Sequence, residues 1–165
     1  MSKETLGATL EDAAEFTRRL QPARRIIGLD LGTKTIGVAL SDVTRTIASP
    51  LLTITRKKFT VDAARLVALA AEHAIAGFVL GLPRNLDGSE GPRAQATRAF
   101  ARSFNALSPL PILLWDERLS TVAAERVLLE ADASRKRRSE VINHVAATII
   151  LQSSLDRLKA VPAER

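Results

Sequence analysis

Apolar and polar positions change rhythm along this chain. Between Arg25 and Leu40 two short apolar segments flank a Gly32-Thr33-Lys34 turn, and a third follows beyond the turn residues Asp42 to Arg45. Apolar runs bounded by turn signals predict strands, here at 25–31, 35–41 and 46–54. Links this short make the three antiparallel neighbours. From residue 60 the spacing becomes helical. Thr60 is a fitting N-cap for a helix over 61–74, Asp62 suits its first turn, and Gly77 marks its end. Phe78-Val79-Leu80-Gly81 is wholly apolar, as expected of a strand covered on both faces. A polar loop spans 83–91, Pro92 opens a second helix to about Leu107, and Pro111 leads into a fifth strand at 112–115. Helices are expected at 120–131 and 139–158. The pattern predicts an α/β fold: a mixed five-stranded sheet, three antiparallel strands and then parallel ones, with helices on both faces. Residues 1–23 form an N-terminal extension with weak helical spacing at Leu10, Ala13, Ala14 and Leu20, ended by Pro22. The domain proper is expected at 24–158, with a tail at 159–165.

Candidate chemistry sits where such a sheet presents ligands, outside the carboxyl ends of its parallel strands. Three loops should gather there, at 30–35, 83–91 and 116–121. On a strand, residues two apart share a face, so Gly28 and Asp30 point one way while Ile27, Leu29 and Leu31 point the other. Asp30 should project from a surface its glycine neighbours leave open, where a metal or a phosphate is better served than a core. Leu114-Trp115-Asp116-Glu117-Arg118 ends an apolar strand on an acid pair, of which alternation lets only one member face the side of Asp30. Two carboxylates meeting at strand ends repel unless a cation lies between them, and a hard divalent cation suits oxygen ligands. A surface turn with an ion pair to Arg118 explains the same residues without a metal. The loop Gly81-Leu82-Pro83-Arg84 through Asp87-Gly88-Ser89-Glu90 is either a plain connection or a substrate-positioning loop.

Charge narrows the partners. The 165 residues fit one domain and carry a formal net charge of +6, which favours polyanions. Arg135-Lys136-Arg137-Arg138 is a basic run that reads as either a solvated loop or a phosphate contact. Aromatic residues are 4% of the chain with no tyrosine, too few for base-stacking platforms, so a nucleic acid would be gripped by its backbone. The absence of cysteine excludes disulfides and thiolate metal sites, and two histidines, His73 and His144, make a histidine-rich zinc site unattractive. No apolar run is long enough to cross a membrane. Glu4, Glu11, Asp12 and Glu15 make the N-terminus too acidic for a targeting peptide, so a cytoplasmic protein is expected.

Four segments in order, Gly28-Leu29-Asp30-Leu31-Gly32-Thr33-Lys34 through Gly37, Gly81-Leu82-Pro83 with Asp87-Gly88, Asp116-Glu117-Arg118-Leu119-Ser120-Thr121, and Val145-Ala146-Ala147 through Gln152, resemble the YqgF/RuvX family. These are Holliday-junction-resolvase-like proteins described as pre-16S rRNA nucleases. The resemblance covers about residues 24–158 and implies a ribonuclease H-like fold. It also implies three carboxylates that carry two divalent metals, Mg²⁺ or Mn²⁺. The first matches Asp30, the second Glu117, and the third position is occupied by Asn143. Asn is neutral and offers one carbonyl oxygen where Asp offers two anionic ones. His144 is turned about 100° from Asn143 on a helix and is no replacement.

Three functions follow as expectations. In the first, the chain is a metal-dependent phosphodiesterase. Asp30, Glu117 and Asn143 form its catalytic set, and Gly32, Lys34, Arg84, Arg118 and Arg135 to Arg138 contact substrate phosphates. Its substrate is precursor 16S ribosomal RNA, with branched DNA as the alternative and ribosomal precursor particles as partners. In the second, it is a phosphotransferase, since Leu29-Asp30-Leu31-Gly32-Thr33 also resembles the phosphate loop of sugar kinases, actin and chaperone ATPases. Those enclose ATP between two such domains. In the third, it binds nucleic acid with catalysis impaired at Asn143.

Overall fold

The computed structural model describes residues 7–120 and 135–161, with side chains of the final helix described from residue 145 onward. Within them lies one six-stranded sheet. Its strands are β1 (Thr9–Leu10), β2 (Arg25–Leu31), β3 (Thr35–Ser41), β4 (Ala48–Thr55), β5 (Ile75–Leu82) and β6 (Ile112–Asp116). They lie in the order β1-β6-β5-β2-β3-β4. The β2–β3 and β3–β4 pairs are antiparallel, whereas β5 is parallel to both β2 and β6. Helices α1 (Ala13–Arg19), α2 (Phe59–Glu72), α3 (Pro92–Asn105) and α4 (Arg135–Ala160) cover the two faces.

Strand alternation assigns each face its helices. Ile27, Leu29, Leu31, Ile36, Val38, Phe78, Leu80 and Leu114 pack against α2 and α3 through Leu66, Phe100 and Phe104. The opposite parity, Ile26, Ala39, Val79, Leu113 and Trp115, packs against Phe16 of α1 and against Ala147, Ile150, Leu151 and Leu155 of α4. Burial of such side chains contributes about 1.5–3 kcal/mol each.

Several expected details are corrected. The sheet has six strands, because Thr9–Leu10 pairs in parallel with β6 at Ile112–Leu113. Thr60 does not cap α2. Lys58 is the N-cap residue, without a side-chain bond. Asp62, buried in the first turn, instead accepts the Lys57 backbone N–H on both carboxylate oxygens, at 3.1 and 3.3 Å. Gly77 does not end α2; the chain turns at Ala74, which adopts φ 51°, and Gly77 lies inside β5. Its lack of a side chain admits α1, since a Cβ there would lie 2.9 Å from Leu20 Cδ2 and 3.0 Å from Phe16 Cζ. Among the described residues the last helix spans Arg135–Ala160, reaching further back than the expected 139, and the helix expected at 120–131 lies outside the described residues apart from Ser120, which follows a 3₁₀ turn. No helix among the described residues is long and apolar enough to cross a membrane.

The β3–β4 turn is organised by one carboxylate. Asp42 accepts from the backbone N–H groups of Thr46 and Ile47 and from the Thr44 hydroxyl. These bonds, the one from Ile47 foremost, lower its pKa from 3.8 to about 2. A depressed carboxylate stabilises the fold above its unfolded pKa, and that contribution is lost as pH falls through the folded value. Asp42→Asn is therefore expected to lower the melting temperature at neutral pH, with the gap to the parent closing between pH 4 and pH 2. Thermal melts across that range check it; a gap constant with pH would contradict the assignment.

Candidate active site

Asp30 lies near the end of β2 on the face covered by α4, opposite Gly37 of β3. On the other side, Gly28 pairs with Val79, so Gly81, two residues further along β5, shares that face one strand away, about 4.8 Å. Glycines thus flank Asp30 in both neighbouring strands. The expectation that this patch is open is corrected. Asp30 is only 2% exposed, and Gly28 makes room for a helix. A Cβ at Gly28 would lie 2.6 Å from Leu151 Cβ and 3.2 Å from the Ala147 carbonyl oxygen.

The acid pair is split by the strand it ends. Trp115 pairs with Gly81 and shares its face. Asp116 has the opposite parity, and the chain then enters the 3₁₀ turn Glu117–Leu119. The Asp116 carboxylate caps that turn through the Arg118 N–H at 2.9 Å and takes the Arg118 guanidinium at 2.7 Å. This contact, above all, holds its pKa below the ordinary carboxylate value. The Glu117 side chain folds back over Gly81: its Oε1 lies 2.9 Å from where a Gly81 Cβ would be, with Ile150 Cδ1 at 2.6 Å from the same point. Asp30 and Glu117 therefore approach one glycine-floored patch beneath α4, and the ion pair to Arg118 belongs to Asp116.

The remaining candidates are placed differently. The Gly32 N–H donates to the Thr35 carbonyl at 2.8 Å, and the Gly32 carbonyl accepts from Arg56 Nη1 at 2.6 Å. The Gly32 amide is thus committed within the turn, whereas Lys34 is exposed beside it. Arg84 is held by carboxylates: Glu11 at 2.9 Å, Glu90 at 3.3 Å and Asp116 at 3.6 Å. Arg118 donates to Asp116 and to the Leu86 carbonyl, and lies against Gly88, whose φ of 89° closes the turn of the 83–91 loop. Asn143 and Arg135, Lys136, Arg137 and Arg138 fall within the α4 range, and their side chains lie outside the described residues. Among the described residues, no group of three or more acidic or histidine side chains is clustered for a metal.

Sequence reasoning missed Glu11 and Arg98. Arg98 on α3 takes Glu90 with Nε at 2.6 Å and Nη2 at 2.7 Å, and reaches Glu11 with Nη2 at 3.1 Å. Those bonds raise the Arg98 pKa further, Glu90 contributing most. Helical spacing alone marks Arg98 only as a polar position. Beside this network a cleft of about 380 Å³ opens, lined by Glu11, Arg84, Trp115, Asp116, Leu119 and Arg157 among others.

The family model described as "RuvX: Holliday junction resolvase" matches residues 24–157. A protein of Cereibacter sphaeroides, named "Putative pre-16S rRNA nuclease", is 66% identical over 155 residues, 94% of this chain and 97% of that one. A Roseobacter denitrificans protein of the same name is 61% identical over 158 residues, with the same two coverages. Among solved structures, T. thermophilus RuvC in complex with a Holliday junction substrate superimposes with a TM-score of 0.53. It covers 84% of this chain and 98% of its own at 9% identity, a likeness of fold. The sheet and its helices are those of a ribonuclease H-like fold.

Proposed function

The chain belongs to the family described as "RuvX: Holliday junction resolvase", and from that premise we propose that it is a nuclease that hydrolyses phosphodiester bonds in precursor 16S ribosomal RNA. The observation that carries the reading is the approach of Asp30 and Glu117, far apart in sequence, to the patch at Gly81. Two carboxylates on a glycine floor repel when both are ionised and suit a hard cation with oxygen ligands. Asp30 and Glu117 would hold a divalent cation, Mg²⁺ or Mn²⁺, which when bound supplies an activated water and neutralises charge at the phosphate. The names carried by relatives more than 60% identical over nearly their whole length support precursor 16S RNA as the substrate. On this reading the enzyme works in the cytoplasm, on RNA alone or within ribosomal precursor particles.

The chain's own residues divide the remaining work. Lys34, exposed at the turn after Asp30, meets the substrate backbone as a point charge. Arg135, Lys136, Arg137 and Arg138 add phosphate contacts at the start of α4. Arg118 orients the strand end through Asp116 and the 83–91 loop. Asn143 takes the third position of the family's acidic set with a neutral oxygen.

Asn143 sets the test. Cleavage of 5′-extended 16S precursor RNA is expected to be weak, to rise on Asn143→Asp, and to recover in part at high Mn²⁺ in the parent. The gain should be roughly 10–100-fold, the range for lesser changes around metal ligands. Equal rates for parent and variant at every Mn²⁺ concentration would remove position 143 from the site. Cleavage of four-way DNA junctions, with RNA left intact, would replace the RNA substrate by branched DNA.

A further inference from the structure

The cleft beside Asp116 carries an internal carboxylate. Glu11 lies in the link between β1 and α1, ahead of the family match. Its Oε1 accepts from Arg84 Nη2 at 2.9 Å and from Arg98 Nη2 at 3.1 Å, and its Oε2 from Arg98 Nη1 at 3.4 Å. Glu90 holds the same two guanidiniums from within, at 2.6 and 2.7 Å to Arg98 and 3.3 Å to Arg84 Nε. The two acids differ in exposure: the Glu90 side chain is 24% exposed and that of Glu11 51%. Glu90 fixes the guanidiniums, and Glu11 caps the outward edges they leave.

A carboxylate spreads one negative charge over two oxygens. A phosphodiester spreads the same charge over its two non-bridging oxygens, and paired guanidiniums accept either group. Without Glu11, Arg84 and Arg98 face, among the described residues, only the acids Glu90 and Asp116, and Asp116 is already shared with Arg118. The outward edges then carry surplus positive charge at the mouth of the cleft, and Asp116 is the residue before Glu117. We propose that Arg84 and Arg98 form a backbone-phosphate subsite that Glu11 occupies in the free protein, and that a substrate RNA strand enters it by displacing Glu11. This rests on the reading of the chain as an RNA nuclease. Glu11 is then an internal competitor that weakens binding of any strand unable to supply a phosphate at that position.

Binding of a short labelled single-stranded RNA, measured in EDTA so that no cleavage intervenes, tests the subsite. Glu11→Gln should tighten binding about threefold to tenfold, the worth of one net hydrogen-bonded contact. Arg98→Gln should weaken it and flatten the dependence of log K on log[salt] by roughly 0.7, one phosphate on a single strand. Glu15→Gln makes the same charge change on α1, where Glu15 pairs with Arg18 and Arg19, and should leave binding unchanged. A gain in affinity cannot come from misfolding. Equal shifts for Glu11→Gln and Glu15→Gln, or an unaltered salt slope for Arg98→Gln, would overturn the subsite while leaving the nuclease in place. A parent chain that binds no RNA would overturn both.

Discussion

Replacing Asp30 by Asn is expected to reduce cleavage of precursor RNA by more than ~100-fold, beyond the 10–100-fold typical of residues that only support a ligand. Asp30 is fixed on a central strand, between Gly37 and the face of Gly81, and is 2% exposed. Asn keeps its size and removes its charge, so the change leaves the packing of β2 intact. What is lost is half of the anionic pair that would hold the cation. Glu117→Gln should fall as far. Single-turnover rates at saturating Mn²⁺, with melting temperatures alongside, check both. A variant that folds like its parent and cuts as fast would remove the residue from the chemistry.

The second large effect separates activity from stability at two glycines. At Gly28, an added methyl meets Leu151 Cβ at 2.6 Å and the backbone oxygen of Ala147 at 3.2 Å. Neither can swing aside, so α4 must lift from the sheet. Gly28→Ala should cost about 1–3 kcal/mol, as overpacking does, and lower the melting temperature by roughly 2–12 °C for a chain of this size. At Gly81 the methyl meets Ile150 Cδ1 at 2.6 Å and Glu117 Oε1 at 2.9 Å. Both are ends of flexible side chains and can rotate away. Gly81→Ala should therefore cost little stability but displace the Glu117 carboxylate, lowering cleavage ~10–100-fold, as changes around metal ligands do. Equal losses of stability at the two positions, or full activity in Gly81→Ala, would contradict the geometry.

The parts of this fold visible in the sequence are those with a period long enough to register. The alternation of Ile27, Leu29 and Leu31 against Gly28 and Asp30 assigns the faces of β2, and the apolar run at Phe78 marks a central strand. Thr9–Leu10 is too short to show any period, and it joins the sheet only because β6 presents an edge beside it. Gly77 illustrates a limit of another kind. A glycine next to an apolar run reads equally as a helix stop or as a gap for a neighbour, and only α1 in place decides it. Thr60 is no cap because the helix already starts at Phe59, after Lys58, and Asp62 within it takes the Lys57 amide.

The site followed the same rule. Asp30 and the Asp116-Glu117 pair stand out in sequence as acids at the ends of apolar strands, and of the three Asp116 has a structural use, capping the turn that follows. Strand parity runs out at Asp116, which goes to Arg118, and the 3₁₀ turn that follows brings Glu117 back over Gly81. Arg84 and Gly32 were legible as phosphate contacts by residue type alone, yet Arg84 is already held by three carboxylates and the Gly32 amide by Thr35. Glu11 and Arg98 belong to segments 87 residues apart, and no local pattern links them.

Mn²⁺ binding to the chain without RNA, followed by the loss of the free-ion electron paramagnetic resonance signal, tests the central claim most directly. The account predicts binding by the parent chain, tighter binding by Asn143→Asp, and loss of that binding in both Asp30→Asn and Glu117→Gln. Mn²⁺ bound with the same affinity by the parent and by Asp30→Asn would contradict it.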